Sequence, residues 1–483
     1  MSSIKKNAVL NMIYTVSGIL FPLIAFRYAS RILLADGIGQ VYFFTSLIEY
    51  IILLTSLGIP LYAIREIARV RDDHALMSKT ATEILILHSV LSAAGYLAVF
   101  LLICTVTKIQ ADIPLFLLLS VSILFKAIGV EWFYNGVEDF KYITVRSIIV
   151  RTVSLLALFI FVKEKEDLFY YAAISVAGTV GNNLFNFFRL PGYVNIYSFG
   201  WKDLHVWRHL NPALKIFALN LIISLYINLD SIMLGFLKDE TAVGYYAAST
   251  RISKTLVGLV GALGPVLLPR LSSLAIRNSQ EEFWSLADKS LRFIVAFSLP
   301  MTVGVFFMAS PIIHLFCGSD FEPSVLTLQI MSPVILFISV SGLYCMQILY
   351  SMGKEKLAIF SASLGALVNL TLNFCLIPVY SQYGAGVATV VAELAVIVCT
   401  VITGRKYIPV HFFFGKKIHY CIATLLVITF LLLLKLFRMN EISYLITGTV
   451  VSATVYYTYL MLVKDEIILQ VTKSCIKTIK SFM

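Results

Sequence analysis

The chain has 483 residues, of which 59% are hydrophobic and only 13% charged. Soluble domains average roughly 25% charged and about 45–50% apolar residues, and no soluble core could bury this excess. The net charge of +11 comes from lysines and arginines that lie between apolar runs and form no continuous patch. That argues against nucleic acid and for the cytoplasmic excess of basic residues found in membrane proteins. The seven cysteines are odd in number, lie mostly within apolar runs and form no C-x-x-C pair, which argues against a disulfide framework or a zinc site. The first apolar run is too long, and lacks the small-residue site, for a cleaved signal peptide.

Fourteen apolar runs follow in order: 8–34, 40–64, 81–107, 113–135, 143–162, 168–189, 213–237, 242–268, 291–316, 325–350, 357–379, 384–403, 418–437 and 443–463. They are too long and too uniformly apolar for the alternating, roughly ten-residue strands of a barrel. Backbone groups in hydrocarbon must be satisfied within the segment, so each run is predicted to be a helix. The fold class expected is an all-α integral membrane protein of fourteen transmembrane helices. Residues 1–190 form one six-helix lobe, 191–211 a cytoplasmic interfacial linker, 212–404 a second six-helix lobe and 405–463 two further helices. The linker carries Tyr193, Tyr197, Trp201 and Trp207, aromatics of the kind that favour the headgroup layer. The tail, 464–483, alternates isoleucines with Lys473, Lys477 and Lys480 and reads as an amphipathic cytoplasmic helix. With both termini in the cytoplasm, 26 of the 38 lysines and arginines fall inside and 8 outside, among the latter Lys108, Lys163, Lys165, Lys238, Lys435 and Arg438. This asymmetry sets the orientation.

The halves look duplicated. The stretches Ile24–Arg65 and Asn228–Arg270 each run from an apolar segment through a short acidic turn into a second apolar segment. Gly39, Pro60 and Arg65 match Gly244, Pro265 and Arg270 at a constant offset of 205 residues. Repeats of this kind are usual in transporters.

Charges inside the runs are the functional candidates, because one at mid-bilayer costs about 2.5–3.5 kcal/mol even on insertion scales. Arg27, Asp230 and Arg251 share a depth in the outer half, with Arg31 one turn above Arg27 and Lys254 on the face of Arg251. They would make a cationic hub where the halves meet; a plain ion pair locking helices, or snorkelling for Arg31, is the alternative. Lys126, Glu131 and Arg151 lie nearer the cytoplasm, where Glu131 is expected to pair with Lys126 or Arg151. Asn369 and Asn373, then Thr389 and Glu393, are each four apart on one helix face. With Asp230 they offer oxygens to sodium or a proton, or else hydrogen-bond between helices. Pro22, Pro60 and Pro265, each beside a glycine-containing stretch, are candidate hinges. No G-x-S-x-G, Walker loop or H-E-x-x-H occurs, so no enzyme, cofactor or firm metal site is expected.

The segments LGIPLYAIREIARVRDD at Leu57–Asp73, EWFYNGVEDFKYITVR at Glu131–Arg146, DSIMLGFLKDETAVGYYAAS at 230–249 and VLLPRLS at 266–272 resemble the polysaccharide-exporter (Wzx-like) flippases. Those belong to the multidrug/oligosaccharidyl-lipid/polysaccharide superfamily, together with lipid II flippases and MATE drug exporters. The resemblance implies two six-helix lobes around a cavity, alternating access, and a cargo of undecaprenyl-diphosphate-linked oligosaccharide moved to the outer leaflet of the bacterial cytoplasmic membrane. It implies a diphosphate seat on the first and eighth helices, where Arg27, Arg31 and Arg251 stand; Lys254, Lys126 and Arg151 are further candidate cations offered by the residues themselves. It also implies a sodium site at Asp230, Asn369, Asn373, Thr389 and Glu393, although asparagine replaces a relative's acid on helix eleven. Membrane lipids, a polymerase and glycosyltransferases are the partners implied. The alternative, a MATE-like exporter of small amphipathic cations, would call for an acidic cavity.

Overall fold

A computed structural model of the protein describes residues 2–195, 198–200, 202–262, 264–277, 279–408, 418–437, 439–470 and 472–473. Among them the fold is helical, with no strand. The chain divides into two compact units, Met1–Gly244 and Tyr245–Met483.

The first unit contains α1 (Ser2–Ser56), α2 (Ile59–Val70), α3 (His74–Thr105), α4 (Thr107–Gln110), α5 (Ile113–Ile128), α6 (Glu131–Gly136), α7 (Phe140–Phe161), α8 (Leu168–Arg189) and α9 (Leu210–Leu237). The helix α10 (Glu240–Gly261) starts in it and continues into the second unit. The second unit goes on with α11 (Gly264–Ile276), α12 (Gln280–Phe307), α13 (Ala309–Phe316), α14 (Pro323–Met331), α15 (Val334–Gly342) and a π-helical stretch at Leu343–Leu349. It ends with α16 (Glu355–Gly404), α17 (Ile418–Leu436) and α18 (Glu441–Leu462).

Among the described residues nine helices are long and apolar enough to cross a membrane. Two of them are double. At about 1.5 Å per residue, a straight helix of 50 residues, the length of α16, would be over twice the roughly 30 Å hydrocarbon thickness. Both α1 and α16 therefore fold back, at Leu34 (φ 57°) and Ser381 (φ 53°). Neither residue is glycine, so each left-handed turn costs on the order of 1–3 kcal/mol and needs support from its surroundings. Beside the first turn Lys165 pairs with Asp36 at 2.8 Å. Beside the second, Gly384 sits so close to the Leu376 carbonyl that a Cβ there would come within 2.5 Å of its oxygen. Helices α8 and α10, of 22 residues each, have the length of a span but fall outside the nine. Polar residues interrupt them: Asn182, Asn183 and Asn186 in the first, and the run from Ser249 to Thr255 in the second. Helix α9 contributes the shorter apolar stretch Asn228–Leu237.

Acidic and amide residues in the turns cap the helix starts. The side chains of Asp73, Asp112, Asp139, Asp239 and Asn440 accept backbone N–H groups of the following first turn at 2.8–3.2 Å, satisfying donors that a helix leaves orphaned. The expected second run, 40–64, is broken in the structure: α1 ends at Ser56, and Leu57 and Gly58 take positive φ before α2 begins. Gly58 is required there, because a Cβ would lie 2.8 Å from the Ala213 carbonyl oxygen. Helix α2 and the short α6 share a buried cluster including Tyr62, Trp132, Phe133 and Tyr134. In the second unit α17 and α18 pack on α12 through Tyr420, Val427 and Tyr456, and the Tyr456 hydroxyl donates to the Ala296 carbonyl at 2.8 Å. Residue 471 and residues 474–483 of the expected amphipathic tail lie outside the described residues, as do Tyr197 and Trp201 of the expected linker.

Candidate functional site

Arg27 and Arg31 are four residues apart on the first rod of α1, on one face, and both are exposed. Arg151 of α7 is turned onto the same rod. Its guanidinium donates to the Tyr14 carbonyl at 3.1 Å and to Ser17 Oγ, and lies over the Tyr14 ring at 5.0 Å. A Cβ on Gly18 would meet an Arg151 nitrogen at 3.4 Å, an ordinary van der Waals contact, so the guanidinium packs directly on this part of α1. Lys126 stands in the last turn of α5 and is exposed. The partner expected for Glu131 is corrected by the structure. Its carboxylate accepts from the Tyr14 hydroxyl at 3.0 Å and lies 3.9 Å from Arg146. The reason is backbone geometry: Val130 in the left-handed region (φ 38°) ends α5 and redirects Glu131 into α6. Arg146 is itself 5% exposed and donates to Asn182 Oδ1 at 3.1 Å and to Asn186 Oδ1.

Asp230, in α9 of the first unit, is 5% exposed. In the second unit Arg251 is half-buried and Lys254 exposed, three residues apart on one side of α10. The polar group of α16 is buried. Asn373 donates to Asn369 Oδ1 at 3.1 Å, Thr389 meets the Tyr246 hydroxyl at 3.0 Å, and Ser341 donates to Glu393 at 3.4 Å. The two rods of α16 run antiparallel, with Gly365 against Val396 and Gly384 against Leu376. That register sets Asn369 and Asn373 at the level of Thr389 and Glu393. Among the described residues no group of three histidine, cysteine or acidic side chains is placed to hold a metal.

Pro22 lies inside α1, and Pro60 lies in the first turn of α2, where a missing N–H costs nothing. Pro265 follows Gly264 at the start of α11. A Cβ on Gly264 would come 2.7 Å from Gln347 in the π-helical stretch. Stretches of that kind occur often at functional sites.

Several buried groups escape a reading by sequence. Glu83 of α3 is fully buried, and accepts the His205 N–H at 2.8 Å, Arg208 at 2.6 Å and His209 Nε2 at 2.8 Å. His209 Nδ1 meets the Tyr62 hydroxyl at 2.7 Å. Burial holds the His209 pKa below its ordinary value against the pull of Glu83. These partners stand more than 100 residues apart, so no spacing announces them. Glu49 is different: an acid in the middle of an apolar run is visible in the sequence.

The profile of a family described as "Polysaccharide biosynthesis protein" matches residues 4–275. An Escherichia coli (strain K12) protein assigned as an O-antigen transporter is 26% identical over 406 residues, 82% of this chain and 95% of that one. Among solved structures, the lipid II flippase MurJ in its inward closed conformation matches with a TM-score of 0.73 at 17% identity, covering 95% of this chain and 99% of that one. An inward-facing multidrug resistance MATE transporter matches with a TM-score of 0.65 at 15% identity, covering 83% and 97%. At such identities the structures speak for the fold alone. The profile covers more than half of the sequence and agrees with the apolar helices, so the chain belongs to the polysaccharide biosynthesis protein family and is a multi-pass membrane protein.

Proposed function

We propose that the protein is a flippase that moves undecaprenyl-diphosphate-linked oligosaccharide repeat units from the inner to the outer leaflet of the cytoplasmic membrane by alternating access. The observation that carries this reading is a pair of cations in each unit, Arg27 and Arg31 on the first rod of α1 and Arg251 and Lys254 on α10, on membrane-length helices and not wholly closed over by neighbours. A diphosphate needs such a seat, and guanidinium can grip its oxygens in pairs. A small cationic drug would be repelled by it. Lys126 is a further candidate to meet the cargo. Arg151 is the weaker one, since it is engaged with α1.

In this reading the membrane is crossed fourteen times, with both termini inside. The nine apolar helices include two that fold back, and α8, α9 and α10 supply the rest. Residues 1–190 and 212–404 act as the moving lobes, joined by the linker 191–211. Asp230, Asn369, Asn373, Thr389 and Glu393 bias the inward and outward states by binding sodium or a proton, because a driving ion must bind the two states unequally. Pro22, Pro60 and Pro265 take up part of the bending.

The test is translocation of undecaprenyl-diphosphate-linked glycan in proteoliposomes, together with rescue of a flippase-deficient strain. Wild-type protein is expected to pass both, and Arg251→Ala to fail rescue at normal expression. Full rescue by that variant would remove the diphosphate seat from α10.

A further inference from the structure

In the first unit a cavity of about 340 Å³ lies between the second rod of α1 and α9. That volume is at the lower end of the range of small-molecule sites, about 300–1,000 Å³. Glu49, Tyr50 and Ser56 line it from α1, and Phe217 and Asn228 from α9. Glu49 is exposed into it, and among the described residues no hydrogen bond or ion pair reaches its carboxylate. A carboxylate in an apolar span is kept for a purpose or a partner, and the described residues supply no partner. Aromatic faces, an amide, a hydroxyl and an acceptor-only carboxylate suit a ligand that is rich in hydroxyl donors and has apolar ring faces. The position 205 residues on, in the second copy of the repeat, is Lys254. One copy thus carries a cation where the other carries an acid.

We infer that Glu49, with Tyr50, Ser56, Phe217 and Asn228, forms a glycan subsite that binds an uncharged sugar of the cargo and selects against acidic sugars. The inference rests on the flippase reading above. The carboxylate accepts sugar hydroxyls in charge-assisted bonds, which are stronger than neutral ones. A uronic acid placed in the same cavity sets a second carboxylate beside Glu49, and like charges at short range oppose one another. The chain therefore recognises both ends of its cargo's head: cations take the diphosphate, and Glu49 takes a sugar that carries no acid.

The experiment measures binding to full-length protein in nanodiscs with three probes: undecaprenyl diphosphate alone, the same lipid bearing an uncharged disaccharide, and the same lipid bearing a disaccharide with a uronate. Wild-type protein is expected to bind the uncharged glycolipid about tenfold more tightly than the bare lipid, the size of one good charge-assisted hydrogen bond, and to gain nothing from the uronate. Glu49→Gln, which keeps shape, should erase most of the gain and leave affinity for the bare lipid as it was. Asn228→Ser, on the facing helix, should erase part of it. A full sugar gain in both variants overturns the inference, as does an equal loss for bare and glycosylated lipid in Glu49→Gln. An intact gain with a shifted pH profile of transport would make Glu49 a proton carrier and overturn it too. If wild-type protein binds none of the three lipids, the flippase reading fails and the subsite with it. If it binds all three equally, only the subsite fails.

Discussion

Gly39 and Gly244 each lie against the backbone of the other's helix. A Cβ on Gly39 would fall 1.6 Å from the Glu240 carbonyl oxygen, and one on Gly244 would fall 1.9 Å from that of Ala35. Ala35 and Glu240 are 205 residues apart, as are Gly39 and Gly244. The crossing is therefore one contact made twice: the first position of each copy touches the second position of the other, the pattern of an isologous interface. It gives the sequence repeat a physical meaning within the first unit. Close approach of this kind is what small residues allow in membrane helices.

Either Gly39→Ala or Gly244→Ala should therefore part the two helix starts and cost about 3 kcal/mol or somewhat more, at the upper end of overpacking effects. Thermal unfolding in detergent measures it. Little change in either variant would mean that the crossing is looser than the structure has it.

Glu83 holds His205, Arg208 and His209 against α3. Glu83→Ala would leave His209 buried without its carboxylate. With Arg208 half-exposed, a loss of about 3 kcal/mol, the lower end for breaking a buried pair, is expected. Proteolytic cleavage around residues 198–208 should accelerate in step. His209 adds a pH signature. Burial keeps its pKa below the ordinary value of about 6.5, so the unfolded chain takes up a proton first and stability falls as pH drops below about 6.5.

His314 works with the opposite sign. Burial alone would lower its pKa, but Glu441, at 2.7 Å, and Glu322 outweigh that and raise it. The tie between α13 and the start of α18 is then complete below pH of about 6.5 and weakens as pH rises through the higher folded-state value. Hydrogen exchange in residues 309–322 should quicken with rising pH beyond the intrinsic rate. His314→Gln should abolish that dependence.

Arg151 binds a carbonyl and a hydroxyl of α1 and covers the Tyr14 ring. Arg151→Ala should cost about 1.5–3 kcal/mol, as for hydrogen bonds to charged groups. Arg151→Lys should recover only part, since an ammonium lacks the planar fork. The melting temperatures of the two variants in detergent decide this. Equal melting of Arg151→Ala and wild type would return Arg151 to the list of cations free to meet cargo.

Much of this protein was readable before any fold was known. Runs of apolar residues set the helices, because an unsatisfied peptide group has no remedy in lipid. The structure adds that Asp112, Asp139 and Asp239 cap helix starts. The motifs at Leu57–Asp73 and Glu131–Arg146 already pointed to the family. Less was readable of the polar interior. Asn369 and Asn373 follow from helical spacing within one rod. Glu131 was expected beside Lys126 or Arg151 and instead meets Tyr14 and Arg146, because a left-handed residue at Val130 redirects the chain.

The sequence by itself determined the solvent this chain lives in and its helices, since these depend on local periodicity and on composition, which act over one or two turns; the resemblance to the family rested on its motifs. Only the tertiary structure decided which charge is neutralised and which is left facing a cavity. That outcome depends on what lies within a few ångströms, and the partners concerned — Glu83 and His209, Arg151 and Tyr14 — are separated by more than 100 positions of chain.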